Sequence, residues 1–265
     1  MKGALSSALW TILGRRNFVR LSRFLLNEAR LDVHNDLRHN GERALQRDVA
    51  AQLGTVFDVG ANLGRWTREL RSMAPGAAVH AFEPCRGTCE ALRANLAAWG
   101  LPDVVVNEVA LSSVRGTAAL HSFGDGVGRN GLHATYGSPA TEVASVATET
   151  LDGYCEVRRI DRVDFIKIDA EGHDLAILRG GSRLFAGRRV LLAQFEYNAR
   201  WIDARCYLRD AFDLLGGYQL GKVTPRGIEF YPRWDAELET FREANFVAVA
   251  PSLVPSLRRI PWWKQ

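Results

Sequence analysis

Nothing in this 265-residue chain restricts its fold more than residues 55–64, Thr55-Val56-Phe57-Asp58-Val59-Gly60-Ala61-Asn62-Leu63-Gly64. A short apolar run with β-branched residues stops at an acid. Two glycines then frame a tight turn, and Arg65-Trp66-Thr67 begins a helical pattern. Strand, glycine turn and helix together make a grip for a nucleotide-type ligand. Glycine lets backbone come close to the ligand, and the first helical turn offers free N–H groups and a partial positive charge. The turn reads Gly60-Ala61-Asn62-Leu63-Gly64, which differs from the Gly-x-Gly-x-x-Gly of a dinucleotide site. Asp58 also stands two residues before the first glycine.

A carboxylate in that position suits a ligand with an ammonium and a sulfonium group, S-adenosylmethionine (SAM). The cofactor side of a site is therefore expected at Asp58, Gly60, Ala61, Asn62 and Gly64. A second strand pattern over 78–82 ends on Glu83-Pro84. In a βαβ unit an acid at this point meets the ribose hydroxyls of a bound nucleoside, and Glu83 follows Gly60 by 23 positions (83 minus 60). An acid favoured at a helix start by the dipole is the bland alternative; it leaves the coincidence of strand, spacing and acid unexplained. The next helix covers 86–99, with Cys89, Leu92, Leu96 and Trp99 on one face and Gly100 closing it. A third strand at 104–106 leads into Asn107-Glu108-Val109-Ala110. Glu108, Val109 and Ala110 are the candidates for the adenine side, against the alternative that they merely end the strand.

The second anchor is Val163-Asp164-Phe165-Ile166-Lys167-Ile168-Asp169-Ala170-Glu171-Gly172-His173-Asp174. A buried-strand run ends on acids, and Gly172 opens a helix. In an open α/β sheet, ligands sit at the carboxyl ends of the strands where strand order reverses. This strand should neighbour 55–59 across that switch, so Asp169, Glu171 and His173 become an acid–base group at the mouth of the site. A later strand, 190–198, also ends on an acid, Glu196. The same acids could hold Mg²⁺ through oxygen ligands; that reading is not favoured, and no metal site is assigned. His173 could equally be an ordinary residue at a helix start.

Residues 1–50 are helical in pattern. Leu9, Ile12 and Leu13, then Val19, Leu21, Phe24 and Leu25, recur at helical spacing with Arg15, Arg16, Arg20 and Arg23 between them. Such a helix can lie on an anionic membrane surface, but a cap packed over the main domain is preferred. A second helix over 42–53 should end at Gly54 as a C′ glycine. Arg115-Gly116 reads as a hairpin turn between short strands over 111–123. The stretch 124–131, with four glycines, is either a lid near the substrate or a loose surface excursion. A helix is expected over 201–215, with strand-like pieces at 218–223, 228–231 and 246–249. The tail, Arg258-Arg259-Ile260-Pro261-Trp262-Trp263-Lys264-Gln265, suits an interface, membrane headgroups, or packing on the N-terminal helices.

Net charge is +4, and the basic residues are spread without a long run, which argues against nucleic acid as the main partner. Cys85, Cys89, Cys155 and Cys206 offer no second pair to complete a zinc site and read as reduced packing residues. No apolar stretch is long enough to cross a bilayer, and the start lacks a cleavage site, so a cytoplasmic protein, with membrane association open, is expected. The organisation reads as a helical extension over 1–50 and one α/β domain over 51–265. Oligomeric state is not legible.

Four motifs now stand in order: Val56-Phe57-Asp58-Val59-Gly60-Ala61-Asn62-Leu63-Gly64, Phe82-Glu83-Pro84, Val109-Ala110-Leu111-Ser112, and Phe165-Ile166-Lys167-Ile168-Asp169-Ala170-Glu171-Gly172-His173. Together they resemble the FkbM-type methyltransferases over about residues 55 to 200. Ala170, where the family usually has valine, and Cys85 after the Glu-Pro pair are the departures. The resemblance implies a class I SAM-methyltransferase fold, a doubly wound, mostly parallel α/β sheet of Rossmann-like plan. It also implies O-methylation of a hydroxyl on a sugar, glycolipid or natural-product acceptor. From the residues, Asp169, Glu171 or His173 would take the hydroxyl proton and Glu196 would orient the acceptor. Two other classes stay open at this point: an NAD-dependent oxidoreductase, and a non-catalytic relative that binds a partner or membrane.

Overall fold

The computed structural model describes residues 2–31, 39–134 and 137–264. A long helix α1 (Lys2–Arg30) is kinked at Gly14, where φ is +69°. Then come α2 (Glu42–Val49), β1 (Thr55–Val59), α3 (Arg65–Met73), β2 (Ala78–Phe82), α4 (Arg86–Ala98) and β3 (Val105–Asn107). A small outlying unit follows with β4 (Ala110–Leu111), β5 (Gly116–Ser122) and β6 (Glu142–Glu149). The chain returns through α5 (Leu151–Arg158), β7 (Val163–Ile168), α6 (Asp174–Gly180), α7 (Ser182–Ala186), β8 (Val190–Tyr197), α8 (Arg200–Asp203) and α9 (Leu208–Leu214). It ends with β9 (Gln219–Thr224), β10 (Gly227–Tyr231), β11 (Ala244–Val249) and β12 (Arg259–Ile260).

The main sheet runs β12-β10-β9-β11-β8-β7-β1-β2-β3. From β3 to β8 all neighbours are parallel, whereas β11 runs antiparallel to both β8 and β9. The chain winds outward from β1 through β2 and β3, then returns to the other side of β1 with β7. Strand order therefore reverses between β1 and β7, and the crevice opens there, as residues 163–174 require. This is the doubly wound α/β fold of class I SAM-dependent methyltransferases.

Side chains alternate faces along each strand. Val56, Phe165, Leu192 and Val247 pack with Leu45, Trp66, Leu70 and Leu92 on the α2–α4 face. Phe57, Ile166, Ala193 and Phe195 pack with Tyr154, Leu178, Trp201 and Leu208 on the other. Both faces of the parallel strands are covered, which is why these strands read as near-continuous apolar runs. Phe57 sits edge-on to Phe82 and Tyr154; each such fully buried ring contributes about 1.5–3 kcal/mol by burial.

Several local expectations change. Arg115-Gly116 is not a hairpin turn, because β4 and β5 both pair with β6, from opposite sides. The helix expected over 201–215 is two helices. Arg205 adopts φ +54°, and Tyr207 starts α9 in a reciprocal capping arrangement with Asp210. Gly54 is no left-handed C′ residue; its N–H donates to Asp164 Oδ2 at 2.8 Å. The N-terminal helix is not a packed cap either. Trp10, Ile12, Phe24 and Leu25 are exposed, and hydrogen bonds from the domain reach α1 at Asn27 and Arg30. Residues 32–38, part of the expected extension, lie outside the described residues. In the tail Trp262 is buried against Tyr231, while Trp263 is exposed. The four cysteines are free and buried.

Candidate active site

A cavity of about 530 Å³ lies at the carboxyl ends of β1, β2, β7 and β8, within the range that takes a small ligand. Its floor begins with the turn after β1. Gly60 has φ +75°, and a Cβ there would stand 1.9 Å from the Asp169 carbonyl. The glycine is required because the β1 and β7 tips close on each other, a constraint of chain packing before any ligand is considered.

Four N–H groups of that turn are already engaged. Gly60 and Ala61 both donate to the Phe82 carbonyl at 3.0 Å, and Gly64 donates to Ala61 at 2.8 Å. Asn62 N–H donates to Glu83 Oε2 at 3.0 Å, while Cys85 N–H donates to Glu83 Oε1 at 2.9 Å. Glu83 is thereby held at the β2 tip by backbone donors. Burial raises its pKa, which those donors and the Lys167 charge partly oppose. What remains for a ligand is acceptor capacity: the Glu83 carboxylate and Asn62 Oδ1, a buried atom without a partner among the described residues. That edge fits ribose hydroxyls, an ammonium or a sulfonium. Val109, Ala110, Leu111, Leu63 and Val127 supply apolar lining.

Three of the expected cofactor residues stand elsewhere. Asp58 is fully buried on the α2–α4 face; it accepts from Thr67 Oγ1 at 2.6 Å and lies 3.6 Å from Lys167 Nζ. Gly64 caps α3 with φ +81°. Glu108 turns outward to Arg93 at 3.4 Å. None of the three lines the cavity. The short reach of an aspartate at position i−2 keeps Asp58 within the sheet, beneath the turn instead of above it.

The opposite half of the cavity is built from side chains. Asp169, Glu171 and Glu196, at the tips of β7 and β8, bring carboxylate oxygens within 4.8 Å of one another. Glu171 occupies the left-handed region at φ +52° and is followed by Gly172 at +91°; this turn swings its carboxylate back over the β7 tip. Burial, then the Asp169 charge, pushes the Glu171 carboxyl up to about 8, against Arg200, whose Nε lies 3.4 Å away. Glu196 is raised well above the usual range by burial and by the charges of Asp169, Asp174 and Glu171. Asp174 is buried and accepts from the backbone N–H of Gly172 and of Glu196, which ties the two acid-bearing tips together. Burial and Asp169 push Asp174 to about 7. Close like charges in a poorly solvated site share protons in this way.

Lys167 was legible as a cation in an apolar strand, and the structure gives it a purpose. Its Nζ lies 3.1 Å from Asp169 Oδ2, and Asp58 lies on its other side. Its pKa is driven upward by Asp169, Asp58 and Glu42, which outweigh the downward effect of burial. In register, Asp58 stands beside Lys167 and Lys167 beside Gln194. Gln194 Nε2 donates to Glu42 Oε2 at 2.7 Å and to Asn245 Oδ1 at 3.0 Å. A buried polar row thus crosses three strands and meets the start of α2. Glu42, Asn40, Asn245 and Glu243 all line the cavity, and the sequence reading singled out none of them.

His173 joins the site without standing beside a cation. Its Nε2 meets Ser112 Oγ at 2.9 Å, and its Nδ1 meets His133 Nε2 at 3.0 Å. Burial, then His133, lowers its pKa to about 4, so the ring is neutral near pH 7. A neutral imidazole has one N–H and one lone pair, so one contact is donated and the other accepted.

The glycine-rich stretch is laid over the cavity and is not a loose excursion. Gly126 N–H donates to Thr88 Oγ1 at 2.9 Å, Arg200 donates to the Arg129 carbonyl, and residues 126–132 line the cavity. At Gly131 a Cβ would approach Glu171 Cβ at 3.1 Å, so glycine lets the stretch close on that acid.

The family model of the methyltransferase FkbM domain matches residues 58–247, which takes in both halves of this cavity. The chain belongs to the FkbM methyltransferase family. Among curated relatives, this FkbM methyltransferase is 26% identical to 2-O-methyltransferase NoeI of Sinorhizobium fredii over 187 residues, covering 66% of the chain and 76% of NoeI. It is 28% identical over 245 residues to AMB antimetabolite synthetase AmbE of Pseudomonas aeruginosa, covering 78% of the chain and 11% of that much longer protein. Among solved structures, an O-methyltransferase from Bacillus cereus in complex with SAH aligns over 93% of the chain and 97% of its own, at 13% identity and a TM-score of 0.44. At that level the likeness adds nothing to what the sheet order carries. The oxidoreductase reading is set aside by the family.

Proposed function

We propose that this FkbM methyltransferase transfers a methyl group from SAM to a hydroxyl of a polyhydroxylated acceptor of sugar type. The observation that carries the reading is the cluster of three carboxylates at the β7 and β8 tips, within 4.8 Å of one another and in the same cavity as the acceptor-lined Asn62–Glu83 edge. NoeI, named as a 2-O-methyltransferase, supports hydroxyl chemistry at a distance.

Bound SAM would supply a methyl on a good leaving group; Glu83 and Asn62 would hold its hydroxyls and amino end. The chain's own residues then have two tasks. The first is to place the acceptor oxygen in line with the methyl and exclude water, for which the 126–132 stretch covers the cavity. The second is to take the hydroxyl proton as the oxygen attacks. Glu171 and Glu196 take that role between them, while Asp169 stays paired with Lys167. Their raised affinity for protons suits a base that must accept one near neutral pH. His173, neutral and with both ring nitrogens taken by Ser112 and His133, shapes the acceptor side of the cavity wall.

A metal ion is the second use of the same oxygens. Asp169, Glu171 and Glu196 are hard donors in one place, but Lys167, Arg200 and Asn198 Nδ2 already contact them in turn, so a cation would displace internal partners. Transfer surviving exhaustive EDTA treatment is the expected outcome. The reading as a whole is tested with methyl-labelled SAM and a fractionated lysate. An alkali-stable methyl ether on a glycan or glycolipid is expected; label released as methanol by mild base would mean carboxyl methylation and end the proposal.

A further inference from the structure

One surface takes no part in the cavity. In α1 Phe18, Leu21, Leu25 and Ala29 recur at helical spacing, flanked by Val19 and Leu26, and all but Phe18 and Ala29 rank among the exposed large apolar side chains. Arg16, Arg20, Arg23, Asn27 and Arg30 recur on another face. Asn27 on this second face accepts from Arg242, and Lys222 donates to the Arg30 carbonyl. The helix is therefore held to the domain through its polar side, with the apolar side turned away. Before the kink, Trp10 and Ile12 are exposed as well, and Trp10 meets Phe18 across Gly14 at 6.0 Å between ring centroids.

Charge decides what covers this face. α1 carries Lys2 and five arginines against one acid, Glu28. Exposed Trp263, with Lys264 over its ring at 5.3 Å, shares a surface depression with Arg30, so the tail adds an aromatic and cations at the same place. No helix among the described residues is long and apolar enough to cross a membrane. An apolar stripe with an almost wholly cationic flank is the composition that lies in the plane of an anionic lipid surface. A self-associating face would repeat those cations on both partners and repel.

We infer that α1 docks the protein on an anionic bilayer, with Trp263 and Lys264 beside it.

The test is flotation of the full chain with vesicles of phosphatidylcholine containing roughly one third phosphatidylglycerol, against pure phosphatidylcholine. The expected result is binding to the anionic vesicles, weaker by about tenfold or more on neutral vesicles or at high salt. Leu21→Glu with Leu25→Glu should abolish it, and Arg16→Glu with Arg20→Glu should lower it by about tenfold. These positions are exposed, so unchanged circular dichroism and melting certify that the variants fold. Retention of binding by the Leu21→Glu, Leu25→Glu variant overturns the inference. So does a wild-type chain that ignores anionic vesicles but forms dimers which that variant dissociates. Neither readout depends on methyl transfer.

Discussion

The two halves of the cavity are made of different materials. Under the Gly60–Gly64 turn the groups are backbone, with Glu83 clasped by two N–H donors. Under β7, β8 and β11 the groups are charged side chains, balanced on Lys167 and on shared protons. A backbone-built site keeps its shape when one side chain changes. A charge-built site does not, because each acid's protonation depends on its neighbours.

The sharpest break in that contrast is Lys167→Met. It would leave Asp58 and Asp169 without their shared cation, and a loss of about 3–5 kcal/mol in urea unfolding is expected. Adding Asp58→Asn should recover part of it; full additivity of the two changes would refute the polar row. Next come Glu171→Gln and Glu196→Gln, each expected to cut labelled-methyl transfer by about 10²-fold or more while SAM affinity by calorimetry stays put. Normal turnover in both variants would remove the base assignment.

Stability against pH sharpens the same point. The Glu171 pKa is about 8 in the folded protein and near 4.5 when unfolded. Its favourable contribution is fully present below about 4.5 and is lost as pH rises through 8. Wild type and Glu171→Gln should therefore unfold nearly alike at pH 5, with the variant gaining on the order of 4 kcal/mol by pH 9. A gap of the same size at both pH values would mean that Glu171 does not titrate this way. On the backbone-built side, Glu83→Gln should weaken SAM binding by about tenfold while the Glu171 contribution to the pH profile stays in place. Smallest of all, Glu108→Ala should change SAM affinity less than about twofold, since it removes an outward ion pair.

The difference between the halves also explains what could be read in advance. Glycines, strand ends and the spacing from Gly60 to Glu83 are local, and they place Gly60, Ala61, Asn62 and Glu83 in the cavity. Lys167 and Gln194 carried a signal that was left unused: a cation and an amide inside strands buried on both faces demand partners. Glu42, Glu243 and Asn245 carried none. Their place depends on α2 and β11 meeting β8 from either end of the chain, and no local pattern encodes that encounter. Asp58 misled for the opposite reason, since a residue's type and spacing do not say which face of a strand it occupies until both neighbours are known.

By itself the sequence determined the parallel core, the switch point and the family, because these follow from the periodicity of burial and from turn chemistry within short windows. Only the tertiary structure decided that Asp58 is buried within the sheet and that the N–H groups of Gly60, Ala61, Asn62 and Gly64 are engaged. It alone gathered Asp169, Glu171 and Glu196 into one carboxylate cluster and left the apolar face of α1 uncovered. Those outcomes rest on distances between residues far apart in the chain, and electrostatics in a poorly solvated site is set by distance and burial, not by order along the sequence.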